Sequence, residues 1–426
     1  MTLSSKDGKF VVDGQQAFLL ADTVWSSCID ATDDEWSFYL KHRATQGFNA
    51  ALVSVLPILH DRSVQAGGLA PFDEERVAAN RGWQFNTRYF DRLGERLGTA
   101  AGTGITMGLV LLWVNYVPGT WGAERTPGFV MPEPVWDEYL AHLSAVVKDG
   151  ECLLIVSGDS AFSSGEEVAY YRSFAERVRQ VWPQSLMAFH SAPTATLPPE
   201  LDDLADALIF QSGHHGEMPH LARELAARYR RGSNGRPVMN AEPAYEGHRV
   251  GGGVGRFGRA TVRRRIWESV AGGASEGVAY GAHGLWGWHR GGEQFSSTHF
   301  SGVPLDWREA LFLPGSKDAV VCRRLMESAC LSCLGVQPDR LKVADESWGH
   351  DEVVASTTSD GARGLVYLPY GGPVTLEVPG EMEVGQLVSL PDGETVPAVV
   401  QSMGEGRYII DPPGDVSECV IFLELH

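Results

Sequence analysis

The stretch Leu153-Leu-Ile-Val-Ser-Gly-Asp159, followed after a short loop by a helical pattern over 166–181, decides how the rest of the chain is read. Four apolar residues in a row suit a strand buried on both faces, and such strands occur in parallel sheets covered by helices. The same unit recurs in both directions. Strand-length apolar runs lie at 17–21, 48–56, 106–113, 153–157, 185–189, 207–211, 237–240 and 278–280. Helical periodicity intervenes at 33–46, 87–101, 133–148, 166–181, 221–231, 260–271 and 317–333, and is weakest after the fifth run. Thr32-x-x-Glu35 opens the first helix as a capping box, and Gly47 closes it. Eight strands alternating with helices predict an α/β chain folded as a (β/α)8 TIM barrel.

Past Gly335 the helical period is lost. Short β-prone runs appear at 351–357, 364–367, 374–378, 383–389, 408–410 and 419–425, separated by turns such as Tyr370-Gly-Gly-Pro373 and Pro391-Asp-Gly-Glu394. The chain is therefore expected to divide into a barrel over 1–335 and a small antiparallel β-sandwich over 336–426, packed as one unit.

The 426 residues carry 35 Lys+Arg against 54 Asp+Glu, a formal charge of −19. That charge opposes phosphate backbones and anionic lipid, so nucleic acid and membranes are not expected as partners. No apolar stretch approaches the roughly 18–20 residues of a membrane span. The first residues, Met1-Thr-Leu-Ser-Ser-Lys-Asp-Gly8, lack the basic and apolar regions of a secretory signal, and six cysteines suit a reducing compartment. The expectation is a cytoplasmic protein, with a homo-oligomer left open and a substrate small enough to be imported.

In such a barrel, chemistry sits just past the C-terminal ends of the strands. Three acids are delivered there by apolar runs: Asp22 in Phe18-Leu-Leu-Ala-Asp22, Asp159 after strand four, and Glu242 in Pro237-Val-Met-Asn-Ala-Glu242. A carboxylate so placed costs desolvation unless it is used or paired. Two carboxylates converging across a barrel mouth are what glycosidic-bond cleavage needs: one protonates the leaving oxygen, the other attacks or activates water. Trp25, Trp113, Trp121, Tyr245, Trp286 and Trp288 crowd the same end, and aromatic planes suit the apolar faces of sugar rings. Asp22 is read as a sugar binder. Gln211, His214 and His283 are further candidates for binding hydroxyls.

Phe18-Leu-Leu-Ala-Asp-Thr-Val-Trp25 with Gln46-Gly-Phe-Asn49 resembles the opening of the apiosidase-like glycoside hydrolases. Asn86-Thr-Arg-Tyr-Phe90, Ser157-Gly-Asp159, Gln211-Ser-Gly-His214, Asn240-Ala-Glu-Pro-Ala-Tyr-Glu246, Tyr280-Gly-Ala-His283 with Trp286, and Asp306-Trp-Arg-Glu-Ala310 follow in the same order. The resemblance covers about residues 10–330. It implies a TIM barrel with a C-terminal β-domain, and a retaining hydrolase with Asp159 as acid/base and Glu242 as nucleophile. It also implies a terminal furanosidic, apiose-like sugar as the group removed. The family's strand-four motif usually reads Gly-Gly-Asp-Asn, where this chain has Ser157-Gly158-Asp159-Ser160. A retaining glycosidase or transglycosylase of other specificity, such as arabinofuranosidase, and a catalytically inactive carbohydrate-binding protein remain alternatives.

Other motifs are assigned no chemistry. Gly253-Val-Gly-Arg-Phe-Gly258 matches a dinucleotide fingerprint but is separated from its strand by a loop, so no nucleotide cofactor is expected. His214, His215 and His220 with Glu217 match no zinc spacing, and the Cys330-x-x-Cys333 pair has no second ligand pair nearby, so no metal is expected. Arg263-Arg-Arg265 is read as a solvated helix face. The long loops 114–132 and 284–303 are expected to wall the pocket and make it exo-acting on a small glycoside or oligosaccharide.

Overall fold

Eight strands, buried along their whole length, form the centre of the computed structural model, which describes residues 1–63, 68–347 and 349–426. They are β1 (Leu19–Thr23), β2 (Ala50–Ser54), β3 (Thr106–Trp113), β4 (Leu153–Gly158), β5 (Met187–Ala188), β6 (Leu208–Gln211), β7 (Val238–Glu242) and β8 (Gly277–Tyr280). They lie in one parallel sheet in the order β5-β4-β3-β2-β1-β8-β7-β6. Chain neighbours pair except β5 and β6, and β1 pairs with β8, which is the order of a barrel. At the β5–β6 seam the Asp206 carboxylate accepts the Met187 N–H at 2.8 Å, and Met187 O accepts the Asp206 N–H at 2.8 Å.

The helices that follow the strands are α1 (Asp33–Gln46), α2 (Thr87–Gly102), α3 (Glu133–Ser144), α4 (Gly165–Val181), α5 (Pro199–Asp202), α6 (Leu221–Arg231), α7 (Arg259–Gly272) and α8 (Gly315–Ser328). The weak helical pattern after the fifth run corresponds to α5, a single turn. The capping box forms as expected: Thr32 Oγ1 accepts the Glu35 N–H at 3.2 Å, and the Glu35 carboxylate accepts the Thr32 N–H at 3.0 Å.

Of the boundaries that differ from the expectation, three bear on the argument. β1 begins and ends two residues late because Gln15–Ala17 belongs to a separate antiparallel sheet with Leu3–Lys6 and Lys9–Val12. β7 continues through Glu242. α8 stops at Ser328; beyond it Cys330 and Cys333 adopt φ of +49° and +54°, left-handed conformations that end a helix.

The C-terminal segment folds into two antiparallel sheets, one of four strands and one of five. They enclose their own core, including Leu341, Val366, Leu376, Ile410 and Ile421. The five-stranded sheet docks on α7. Trp267 stacks on Tyr367 with centroids 6.4 Å apart, and Arg263 reaches Glu418 at 2.5 Å and Asp318 at 3.2 Å. This corrects the reading of Arg263-Arg-Arg265 as a solvated face. Arg263 and Arg265 are buried, Arg265 pairs with Glu268 at 2.7 Å, and Arg264 lies over the Tyr370 ring. The helix is covered on that side by the sheet, so its cations are neutralised by carboxylates.

Candidate active site

The C-terminal ends of the strands open on a cavity of about 330 Å³. Asp159 and Glu242 both line it, with Trp25, Trp113, Gln211, His214, Tyr245 and Trp286. With Trp121, which lines it too, nine of the twelve side chains singled out from the sequence meet in one place; Trp288, Asp22 and His283 do not.

Local backbone geometry aims the two acids. Asp159 follows β4 directly and has φ of +55°, a left-handed conformation uncommon outside glycine and strained for a side chain. Gly158 before it touches the face of Trp113: a Cβ there would lie 2.2 Å from the indole. Ser160 turns away from the cavity and donates its hydroxyl to Glu167 on α4, whose carboxylate also accepts the N–H groups of Phe162 and Ser163 at 3.1 and 2.8 Å. The serine in the departing Ser-Gly-Asp-Ser motif thus anchors the loop to its helix. Glu242 sits at a register shift in the β7–β6 ladder, where Asn240 and Glu242 pair with Phe210 and Gln211 and Ala241 is skipped. Such a bulge re-aims the side chain at a strand end. Asn240 fixes it by accepting the Glu242 N–H at 3.1 Å while donating to Ser212 and Ser269.

Two neutral histidines flank the Glu242 carboxylate. His214 Nδ1 accepts the backbone N–H of Tyr245 at 3.3 Å, so its proton sits on Nε2, 3.2 Å from Oε1 of Glu242. His190 Nδ1 accepts the backbone N–H of Asp159 at 3.1 Å, which places its Nε2–H 3.6 Å from Oε2 of Glu242. Burial lowers both imidazoles to about 3, so neither carries a charge near neutral pH. The Tyr245 hydroxyl, which accepts from Trp25 Nε1 at 2.8 Å, also hydrogen-bonds Glu242. Burial pushes the Glu242 carboxyl up to about 8, and the tyrosine opposes that rise. Asp159 is held well above the ordinary carboxylate range, first by burial and then by the charge of Glu242. Gln211 Nε2 donates to Oδ1 of Asp159, which leaves Oδ2 as the oxygen to carry a proton.

Asp22 is not in the cavity. Because β1 runs on to Thr23, the two-residue alternation of a strand turns Asp22 toward the helix layer. There it pairs with buried Arg43 at 2.6 Å and accepts the Tyr39 hydroxyl at 3.1 Å. The expectation that it binds sugar is corrected: its burial is compensated by an ion pair between strand and helix. His283 also stands behind the wall. Its Nδ1 accepts Trp286 Nε1–H at 3.2 Å and its Nε2 donates to Gly302 O at 3.1 Å, so it holds a lining residue without lining the cavity itself.

The remaining histidines diverge. His215 faces Glu217 at 3.2 Å and His220 faces Glu352 at 3.5 Å, while His214 faces Glu242. The expected wall loops do contribute: Trp121 and Arg125 come from the first, and Ser297, His299 and Phe300 from the second. His60 and Asp61, on the loop after β2, line the cavity as well and were missed in the sequence. The same criterion, an acid beyond an apolar run, would have found Asp61 had it been carried seven residues past the strand. His190, directly after the run 185–189, was missed because the criterion at the strand ends asked for an acid.

The fold has relatives. The sequence profile described as "Apiosidase-like, catalytic domain" matches residues 5–332. No curated protein matches the chain. Among solved structures, a glycoside hydrolase is similar at 19% identity, with 99% of this chain and 96% of that one covered and a TM-score of 0.78. A glycoside hydrolase family 5 protein from Bacteroides vulgatus is similar at 20% identity, covering 99% and 92%, with a TM-score of 0.79. An endo-1,4-beta-mannanase from Rhizomucor miehei shares 11% identity over 77% of this chain and 100% of its own, with a TM-score of 0.52. The structural likenesses speak for the barrel; the profile, which spans most of the chain, shows that this protein belongs to the apiosidase-like family of glycoside hydrolases.

Proposed function

We propose that the protein is a retaining exo-glycosidase that removes a terminal, furanosidic, apiose-like sugar from a small glycoside or oligosaccharide. The observation that carries this reading is the pairing of Asp159 and Glu242, from β4 and β7, in one aromatic-lined cavity where the charge of one raises the pKa of the other. With Glu242 ionised, Asp159 keeps its proton and delivers it from Oδ2 to the leaving oxygen as Glu242 attacks the anomeric carbon. The glycosyl ester that forms has no charge. Asp159 is then free to ionise and to take a proton from the water that releases the sugar. The Nε2–H groups of His214 and His190 suit a carboxylate in its charged, attacking form.

The exo character is supported by the Trp121–Arg125 and Ser297–Phe300 walls, which face the cavity from opposite loops. The test is a panel of 4-nitrophenyl glycosides that includes apiofuranosides and arabinofuranosides. Glu242→Gln should lower turnover by about 10⁴-fold. Asp159→Asn should lose about 10²–10⁴-fold and be rescued by azide, giving a glycosyl azide of retained configuration. Near-native turnover by Glu242→Gln, or an inverted first-formed product, would overturn the reading.

A further inference from the structure

One wall of the cavity carries two hydrogen-bond acceptors, His60 and Asp61. His60 Nδ1 donates to Asn115 Oδ1 at 2.8 Å, and the amide of Asn115 is oriented by donating to Gly122 O and Thr126 Oγ1 at 3.2 and 2.9 Å. The imidazole is therefore the Nδ1–H tautomer, and Nε2 keeps its lone pair on a ring that lines the cavity. Burial lowers this histidine to about 4, so the lone pair persists at neutral pH. Asp61 is the next residue. Its Oδ1 is buried and has no hydrogen-bond partner among the described residues.

The loop that carries them is fixed. Arg62 N–H donates to Ser296 Oγ at 2.9 Å, Ser296 N–H returns to Arg62 O at 3.1 Å, and Ser297 Oγ donates to His60 O at 3.1 Å. Ser63 Oγ lies 2.8 Å from His289 Nδ1, and Arg62 forms a bidentate pair with Glu74 at 3.0 and 2.9 Å. A buried carboxyl in such a wall is costly as an anion unless a donor meets it, and a hydroxyl of a bound ligand is such a donor. Burial pushes the Asp61 carboxyl up to about 7; a hydrogen bond with the Ser297 side chain opposes that rise and the charge of Glu242 adds to it, so a second anion in the pocket would be repelled, whereas a hydroxyl would not.

Resting on the glycosidase reading, we propose that His60 and Asp61 are specificity-determining residues that receive two hydroxyl protons of the terminal sugar. The rigid loop sets where those hydroxyls must lie. A sugar lacking either one leaves a buried acceptor unpaired, and that is the stronger form of discrimination.

The test uses the 4-nitrophenyl glycoside turned over fastest in the panel, together with its mono-deoxy analogues, on wild type, Asp61→Asn, His60→Ala and Glu242→Gln. Wild type should prefer the parent over the analogue lacking the contacted hydroxyl by at least about tenfold in kcat/KM. Asp61→Asn should lose about tenfold or more on the parent and discriminate less than about threefold at one hydroxyl. His60→Ala should do the same at a different hydroxyl. An equal loss on the parent and every analogue, or no loss at all, would overturn the inference. If Glu242→Gln abolishes turnover while Asp61→Asn and His60→Ala leave discrimination intact, the glycosidase reading stands and only this inference falls. Matching melting temperatures for wild type and the two loop variants separate recognition from folding.

Discussion

His214 Nε2 lies 3.2 Å from Oε1 of Glu242, and the imidazole is locked in that tautomer because its Nδ1 already accepts the Tyr245 N–H. A backbone donor one turn of loop away therefore decides which nitrogen faces the acid. The same logic holds for His190, whose Nδ1 accepts the N–H of Asp159. His214 thereby ties the geometry of Glu242 to a backbone group of the active-site loops, while His190 Nε2 stands 3.6 Å from Oε2, without a hydrogen-bond partner among the described residues.

The first prediction concerns that contact. A donor to the charged form of a carboxylate lowers its pKa. Removing it in His214→Ala should raise the pKa of Glu242, so the rising limb of the kcat/KM–pH profile should move up by about one unit. At pH 7 the activity should fall about tenfold, mostly in kcat. A profile of unchanged shape would show that His214 merely fills space.

A second prediction follows from the linkage between protons and stability. Glu242 titrates at about 8 in the folded protein against an ordinary 4.5, because burial penalises its charge. Between those values the folded state holds a proton that the unfolded state has released. Stability from this group is therefore complete below pH 4.5 and declines as pH rises through 8. Glu242→Gln, always neutral, should melt at the same temperature as wild type at pH 4.5 and higher than wild type at pH 8.5. Thermal melts at the two values decide it; a difference that does not change with pH would contradict the assignment.

The third prediction separates Asp22 from the cavity. Asp22 and Arg43 form a buried pair at 2.6 Å between β1 and α1. Losing one partner strands the other charge in the interior, at about 3–5 kcal/mol. Asp22→Asn should lower stability by that amount in denaturant titration. KM and kcat of the folded fraction should stay within about twofold of wild type, where a sugar-binding role would raise KM sharply.

How much of this was legible beforehand varies from residue to residue. Asp159 and Glu242 could be found because each ends an apolar run, and the apolar run is a local signal. Trp25, Trp113, Tyr245 and Trp286 followed from the same strand ends. Asp22 met the same criterion and failed it, because a strand that slips two residues changes what lies beyond its end, and alternation then decides which face each side chain takes. Arg263 and Arg265 looked solvated because their partners Glu418, Asp318 and Glu268 depend on how α7 folds and what packs on it.

By itself, the sequence determined the barrel, since alternation of strand-length apolar runs with helical periods leaves little other way to bury both faces of eight strands. It also determined which two acids stand at the ends of β4 and β7. Tertiary structure alone decided the rest: which imidazole nitrogen faces Glu242, which oxygen of Asp159 is left free by Gln211, and that His60 and Asp61 line the cavity with His60 Nε2 as an acceptor. Those properties depend on partners as far as 234 residues apart in the chain, such as Arg62 with Ser296, and on burial that only packing creates. Charge state, tautomer and unpaired valence follow from the surroundings of a group, and no local pattern along the chain encodes them.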